Sequence, residues 1–253
     1  MSIRRLAILA LLLLLGLVVV PAGPAGAEAF IDLYVGKSFT QPSDLKIRQP
    51  SQQSDFTFSG VSFDDRSFEN PLYYGGRGGY FFEAVPWFGL AIEFFHFKIF
   101  AETADSRRID GVVNGVPMGG KVPVDTQVQR FDISHGVNYL TLDAIFRYKL
   151  IDDPQQSPSG RVQLYAGVGL GPVVTHAENT VGQVKDNAGY EIVGLGAQAF
   201  VGVRGLVWKY FGLFAEYKFT HSSLNAGVAS GRGRLDETSH HVIGGLTIHL
   251  PSF

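Results

Sequence analysis

The chain has 253 residues, 45% of them hydrophobic and 17% charged, with 21 Lys+Arg against 23 Asp+Glu, 31 glycines and no cysteine. A chain this apolar can bury a core, which excludes disorder, and its near-neutral charge offers no footing for nucleic acid. The absence of cysteine removes disulfides, thiolate metal sites and cysteine nucleophiles together, and a charged fraction below the usual value of about 25% is unlike a soluble enzyme.

Residues 1–27 carry Arg4 and Arg5, an apolar run from Leu6 to Val20, and the small-residue stretch Ala25-Gly26-Ala27. A basic start, a short hydrophobic stretch and a small-residue cleavage site are the three parts of a secretory signal peptide. The run stops at Pro21, short of the ~20 residues that a spanning helix needs. Export, cleavage and a single domain over 28–253 are the expectation. Beyond residue 27 no apolar run is long enough for a membrane helix, so any crossing must use strands.

Eight segments alternate with a period of two. In chain order they are Phe30–Lys37 (Asp32, Tyr34 inward), Leu72–Phe82 (Arg77 inward), Phe88–Phe97 (Glu93 inward) and Tyr139–Leu150. The remaining four are Val162–Thr175 (Gln163, Tyr165 inward), Tyr190–Arg204 (Gln198, Arg204 inward), Phe211–Thr220 (Glu216, Lys218 inward) and His240–Leu250 (His241, Thr247, His249 inward). The fourth is the clearest: Leu140, Leu142, Ala144, Phe146, Tyr148 and Leu150 share one face, while Thr141, Asp143, Arg147 and Lys149 share the other. The polar faces together hold Asp32, Glu93, Asp143 and Glu216 against Arg77, Arg147, Lys149, Arg204 and Lys218, with glycines such as Gly167, Gly169, Gly196 and Gly202 between them.

Alternation does not say which face is outside, but connection lengths do. The gaps Glu83–Trp87, Ile151–Arg161 and Gly205–Tyr210 are short, whereas Ser38–Pro71, Lys98–Asn138, His176–Gly189 and His221–Ser239 are long. Short turns at one end and long loops at the other are the asymmetry of a bacterial outer-membrane barrel. Phe82, Trp87, Phe88, Tyr148, Trp208, Tyr210 and Phe211 gather at the short-turn end, as an interfacial aromatic girdle would.

The leader, the stretch Tyr74-Gly-Gly-Arg-Gly-Gly-Tyr-Phe-Phe82 running into Val85-Pro-Trp-Phe-Gly-Leu90, the stretch Phe214-Ala-Glu-Tyr-Lys-Phe-Thr-His221 and the terminal Phe253 resemble the small eight-stranded outer-membrane β-barrels. That family includes the OmpA transmembrane domain, OmpW-like proteins and opacity-type surface proteins, and the resemblance spans the whole chain after the leader. It implies an all-β, eight-stranded antiparallel up-and-down transmembrane barrel in the outer membrane of a Gram-negative bacterium. It also implies outer-membrane lipid and lipopolysaccharide as neighbours, and an assembly machinery that reads Phe253, although Pro251 and Ser252 depart from the usual terminal pattern. Such barrels often lack catalytic residues, and neither a cofactor nor a metal site is expected here.

With eight strands the interior is just filled by side chains, so the inward charges are expected to form a neutralising network and not a pore lining. A narrow path for small apolar molecules, as in OmpW-like proteins, stays open as an alternative. A third reading rests on His221, Ser223 and Glu237, which would supply base, nucleophile and orienting carboxylate at the outer rim. They are a little like the His-x-Ser-Asn of lipid A deacylases, but Leu224 separates Ser223 from Asn225 and the following Asn-Pro-Gly is missing. His135, His176, His221, His240 and His241 fall near the outer loops without metal-ligand spacing, and Gly167–Gly171 lacks the following helix that a phosphate loop requires. The first two long loops partly alternate over Asp55–Phe63 and Arg107–Pro117, so they should extend as hairpins above the membrane and offer a surface for an extracellular ligand.

Overall fold

The computed structural model describes residues 28–153, 157–187 and 189–250. The leader and Phe253 lie outside the described residues. Eight long strands form the body: β1 Glu28–Thr40, β2 Tyr74–Phe81, β3 Phe88–Ala101, β4 Val128–Asp153, β5 Ser157–Thr175, β6 Glu191–Leu206, β7 Phe211–Val228 and β8 Gly231–Leu250. Each pairs antiparallel with the next, and β8 returns to β1 from Ala29↔Leu250 to Thr40↔Ser239, which closes the ring. Closure leaves no open edge in the body of the barrel, so every ladder group there finds a partner strand.

The lower part is apolar outside and charged inside. Leu142, Leu170, Leu195, Leu213 and Leu246 are 56–65% exposed, while Asp32, Arg77, Glu93, Asp143 and Lys218 have no exposure. A continuous apolar belt of this kind is not sustained in water, where large exposed apolar patches are rare, and it fits a hydrocarbon solvent. Among the described residues no helix is long and apolar enough to cross a membrane.

The strands run well past the expected ends. β4 alone has 26 residues, more than twice the 9–11 that cross a bilayer. The segment His221–Ser239, expected as a loop, is the upper half of the β7–β8 hairpin, paired without interruption to Val228↔Gly231. In this upper half the pattern reverses within a single strand. On β7 the outward positions go from Leu213, Tyr217 and Phe219 to His221, Ser223 and Asn225, while the inward ones go from Glu216, Lys218 and Thr220 to Leu224, Ala226 and Val228.

The reversed half is extended into an outer sheet. Ser43–Gln49 pairs with β8 and with Ser54–Val61, which pairs with Ser106–Val113, which pairs with Val116–Pro123. Both loops that alternated in sequence are thus hairpins. Leu45, Ile47, Phe56, Phe58, Ile109, Val124, Phe131, Ile133, Leu224 and Leu235 are buried beneath the sheet and are part of one apolar cluster. A second, smaller hairpin, Glu178–Val181 with Val184–Asn187, docks on the top of β4.

Candidate functional site

The lumen is organised around Arg77. Its guanidinium donates to Glu216 Oε2 at 2.9 Å and Oε1 at 3.0 Å, and to Glu93 at 3.1 and 3.2 Å. Asp32 and Asp143 each lie 3.6 Å away. Lys218 donates to Glu93 at 2.5 Å, and Arg204 to Asp32 at 2.7 Å. Neutral donors join the network: Tyr165 to Glu216 at 3.0 Å, Thr247 to Asp32 at 2.6 Å, Tyr34 to Glu93, and Gln198 to Glu93 at 2.6 Å and Asp143 at 2.8 Å. Arg77 also stacks 4.1 Å over the ring of Phe200 and Lys218 4.2 Å over Phe95. Buried charges persist only when paired and hydrogen-bonded, and these side chains span the lumen from wall to wall.

The glycines on the polar face make room for that network. A Cβ on Gly75 would fall within the Tyr34 ring, and one on Gly169 would strike the Asp143 carboxylate. The Gly167–Gly171 stretch is thus a packing device on a strand.

Two expected members are elsewhere. Arg147 is at the short-turn mouth, donating to Glu28 at 2.7 Å and to the Pro86 carbonyl at 2.8 Å, with its guanidinium 3.8 Å over Phe81. His249 joins it on Glu28. Lys149 is at the same rim, 3.9 Å from Asp152. Both obey the parity of β4, but height along the strand, which parity does not set, removes them from the centre. The central cluster therefore holds four carboxylates and three bases. Tyr34, Tyr165, Gln198 and Thr247 were inward by parity, yet nothing local showed that they would meet the charges.

The girdle residues lie together at the short-turn end. Trp87 stacks on Phe146 at 6.0 Å, Phe82 on Phe88 at 5.7 Å and Trp208 on Phe211 at 6.0 Å, with Tyr148 and Trp208 about 70% exposed. Tyr210 accepts a hydrogen bond from the His249 amide through its backbone carbonyl.

His221, Ser223 and Glu237 do not converge. Ser223 Oγ donates to Asp236 at 2.5 Å and His221 Nδ1 is 2.9 Å from Thr238 Oγ1, both on the outer face. Glu237 points inward with no exposure and accepts from Tyr139 at 2.5 Å, Thr220 at 2.9 Å and Ser222 at 3.0 Å. A sheet one residue thick separates the carboxylate from the other two.

The histidines divide likewise. His241 is buried in the lumen against Phe97, with ring centroids 4.9 Å apart, whereas His240 faces outward beside Tyr217. His135 and His176 lie with their ring centroids 4.6 Å apart and tilted at 42° on the upper barrel, His135 next to Glu178. Arg130 clamps that hairpin by donating to Asp132 at 2.5 Å and to Glu178 at 2.6 Å. Burial, the largest single influence, pulls the Glu178 carboxyl upward, but the Arg130 guanidinium, a hydrogen bond from Ser134 and the neighbouring His135 and His176 together hold the group below its ordinary value.

A closed ring of eight antiparallel strands, apolar outside, charged inside and aromatic at one rim, defines a membrane-type β-barrel. No family model and no curated protein matches the sequence. Among solved structures the chain is similar to Neisserial surface protein A, with 12% identity over 90% of this chain and 99% of that one and a TM-score of 0.39. It is similar also to the outer-membrane protein OprG of Pseudomonas aeruginosa, with 12% identity over 90% and 98% and a TM-score of 0.45. The attachment invasion locus protein Ail of Yersinia pestis matches with 9% identity over 90% and 100% and a TM-score of 0.35.

Proposed function

We propose that the protein is a non-catalytic outer-membrane barrel of a Gram-negative bacterium, exported through its leader, whose role is a surface interaction carried by the outer sheet. One observation carries this: above the belt, the strands turn their apolar face inward and carry the core upward under a polar sheet. A strand need not continue past the bilayer to anchor a barrel, so about half of β4 and of the β7–β8 hairpin serves what stands in water. The wall-to-wall network around Arg77 supports this reading over a conduit. The placement of Glu237 behind the sheet supports it over an esterase. Lipopolysaccharide would surround the belt, and a ligand outside the cell would meet the sheet.

The test replaces Ser106–Pro123, the outermost hairpin, with a two-residue turn and compares binding of displaying cells to host cells and extracellular matrix. Loss of binding by a variant whose barrel still shifts mobility on heating is the expected result. Binding equal to wild type would overturn the assignment to the outer sheet. In planar bilayers the wild-type protein should be silent, and steady single-channel steps would restore the conduit reading.

A further inference from the structure

The seam between β8 and Ser43–Gln49 has three register pairs, Arg232↔Arg48, Gly233↔Ile47 and Arg234↔Lys46. In two of them base faces base. The alternate residues Ile47, Gly233 and Leu235 are buried, so all four bases stand on the water side. Side chains directly opposite on antiparallel strands sit about 5 Å apart, and like charges so placed destabilise the pairing. Nothing in the packing beneath demands cations at these positions.

The surrounding groups engage most of the cluster but not all of it. Asp55 serves Lys46 at 3.2 Å and Arg48 at 4.0 Å, while Arg232 donates to Glu191 at 2.8 Å, to Asn225 Oδ1 at 3.3 Å and to the Asn225 carbonyl. Asp44 and Asp236 flank the lower edge, where Asp44 accepts the Gly60 amide and Asp236 accepts the Ser223 hydroxyl. Among the described residues Arg234 has no ion pair, and it lies directly across from Lys46. The unpaired Arg234 fork can bind a sulfate, phosphate or carboxylate bidentately, with Lys46 opposite it as a point charge and Arg48 and Arg232 adding to the local positive field.

Height selects the kind of anion. Lipid-facing side chains on β8 end at Val242, and Arg234 is eight residues further on, roughly 25 Å along the strand at about 3.3 Å per residue. On a strand tilted by about 40° this is roughly 20 Å of height, more than the ~5–7 Å of a headgroup layer, and it reaches the level of surface sugars. We propose that Lys46, Arg48, Arg232 and Arg234 form a binding site for an anionic, sulfated or phosphorylated, glycan. This rests on the surface-interaction reading and names its ligand class.

The test uses the full barrel refolded in detergent, with immobilised heparin and delipidated phosphorylated core oligosaccharide as probes and dextran as the neutral control. Wild type should bind at least one anionic probe and not dextran, more weakly as salt rises. Binding confined to the core oligosaccharide would place the ligand in the bacterium's own envelope. Binding to heparin would place it on another cell. The double variant Lys46→Gln/Arg234→Gln should bind at least tenfold more weakly while its heat-induced mobility shift comes at the same or a higher temperature, because a like-charge pair has been removed. A charge-matched control, Lys185→Gln/Lys209→Gln, should bind within twofold of wild type. No binding by wild type to either anionic probe, equal binding by the double variant, or equal loss in the control would overturn the site. If the Ser106–Pro123 replacement abolishes cell binding while the double variant binds cells as wild type does, the surface role stands and this site falls.

Discussion

Arg77 has no exposure and faces four carboxylates, so its replacement tests whether the lumen is held by charge pairing or by volume. Arg77→Met keeps length and apolar bulk but leaves Asp32, Glu93, Asp143 and Glu216 with two bases. Breaking a buried pair from one side costs about 3–5 kcal/mol, and the urea midpoint in lipid vesicles should fall accordingly at unchanged slope. A shift within about 0.5 kcal/mol, the range of a surface substitution, would mean that the network contributes little. Ser223→Ala belongs to the opposite case. Ser223 Oγ donates to Asp236 on the outer face while Glu237 is sealed inside, so lipid A from cells expressing the variant and the wild type should have identical mass spectra. A deacylated species that vanishes with the variant would restore the esterase.

At the scale of elements, the reversal along β7 makes its two halves vulnerable to different substitutions. Leu213 faces outward within the belt and Leu224 faces inward above it. Leu213→Arg should cost about 2–4 kcal/mol if it sits near the bilayer midplane, measured as equilibrium unfolding in vesicles. Leu224→Ala should cost about 2–5 kcal/mol through the cavity it leaves, and it should open the outer sheet to protease while the belt stays protected. Equal protection of the outer sheet in Leu224→Ala and wild type would show that the upper part of the core is not cooperative with the sheet above it. The β7 alternation is legible as far as Thr220, beyond which the outward positions His221, Ser223 and Asn225 are polar. The backbone pleat continues, however, and what changes is the solvent on the outer side.

For the whole molecule, both tryptophans lie at the short-turn end, Trp87 55% and Trp208 72% exposed. In vesicles their fluorescence should be quenched more by lipids brominated near the headgroup than by lipids brominated at the chain terminus. The reverse order would displace the belt relative to the bilayer. The closed ring also predicts faster gel migration without boiling than with it, and β-type circular dichroism in detergent. A chain soluble without detergent and without that shift would not be a membrane barrel.

Eight strands, their inward and outward residues, the gathering of aromatics at one end and even the hairpin character of the first two long loops were legible in the sequence. All of them follow from side chains alternating across a pleated backbone, which is a property of each strand by itself. The same alternation, continued beyond Thr220 and above His240, places Ser223 outward and Glu237 inward. Only the closed barrel decided which inward groups meet: Tyr34 with Glu93, Gln198 with Asp143, and Arg147 with Glu28 instead of the central acids. Those contacts depend on register between strands distant in sequence and on height along a tilted wall. The same holds for the base-on-base seam of Lys46 and Arg48 with Arg232 and Arg234, since two segments almost two hundred positions apart share an edge only after the chain has folded.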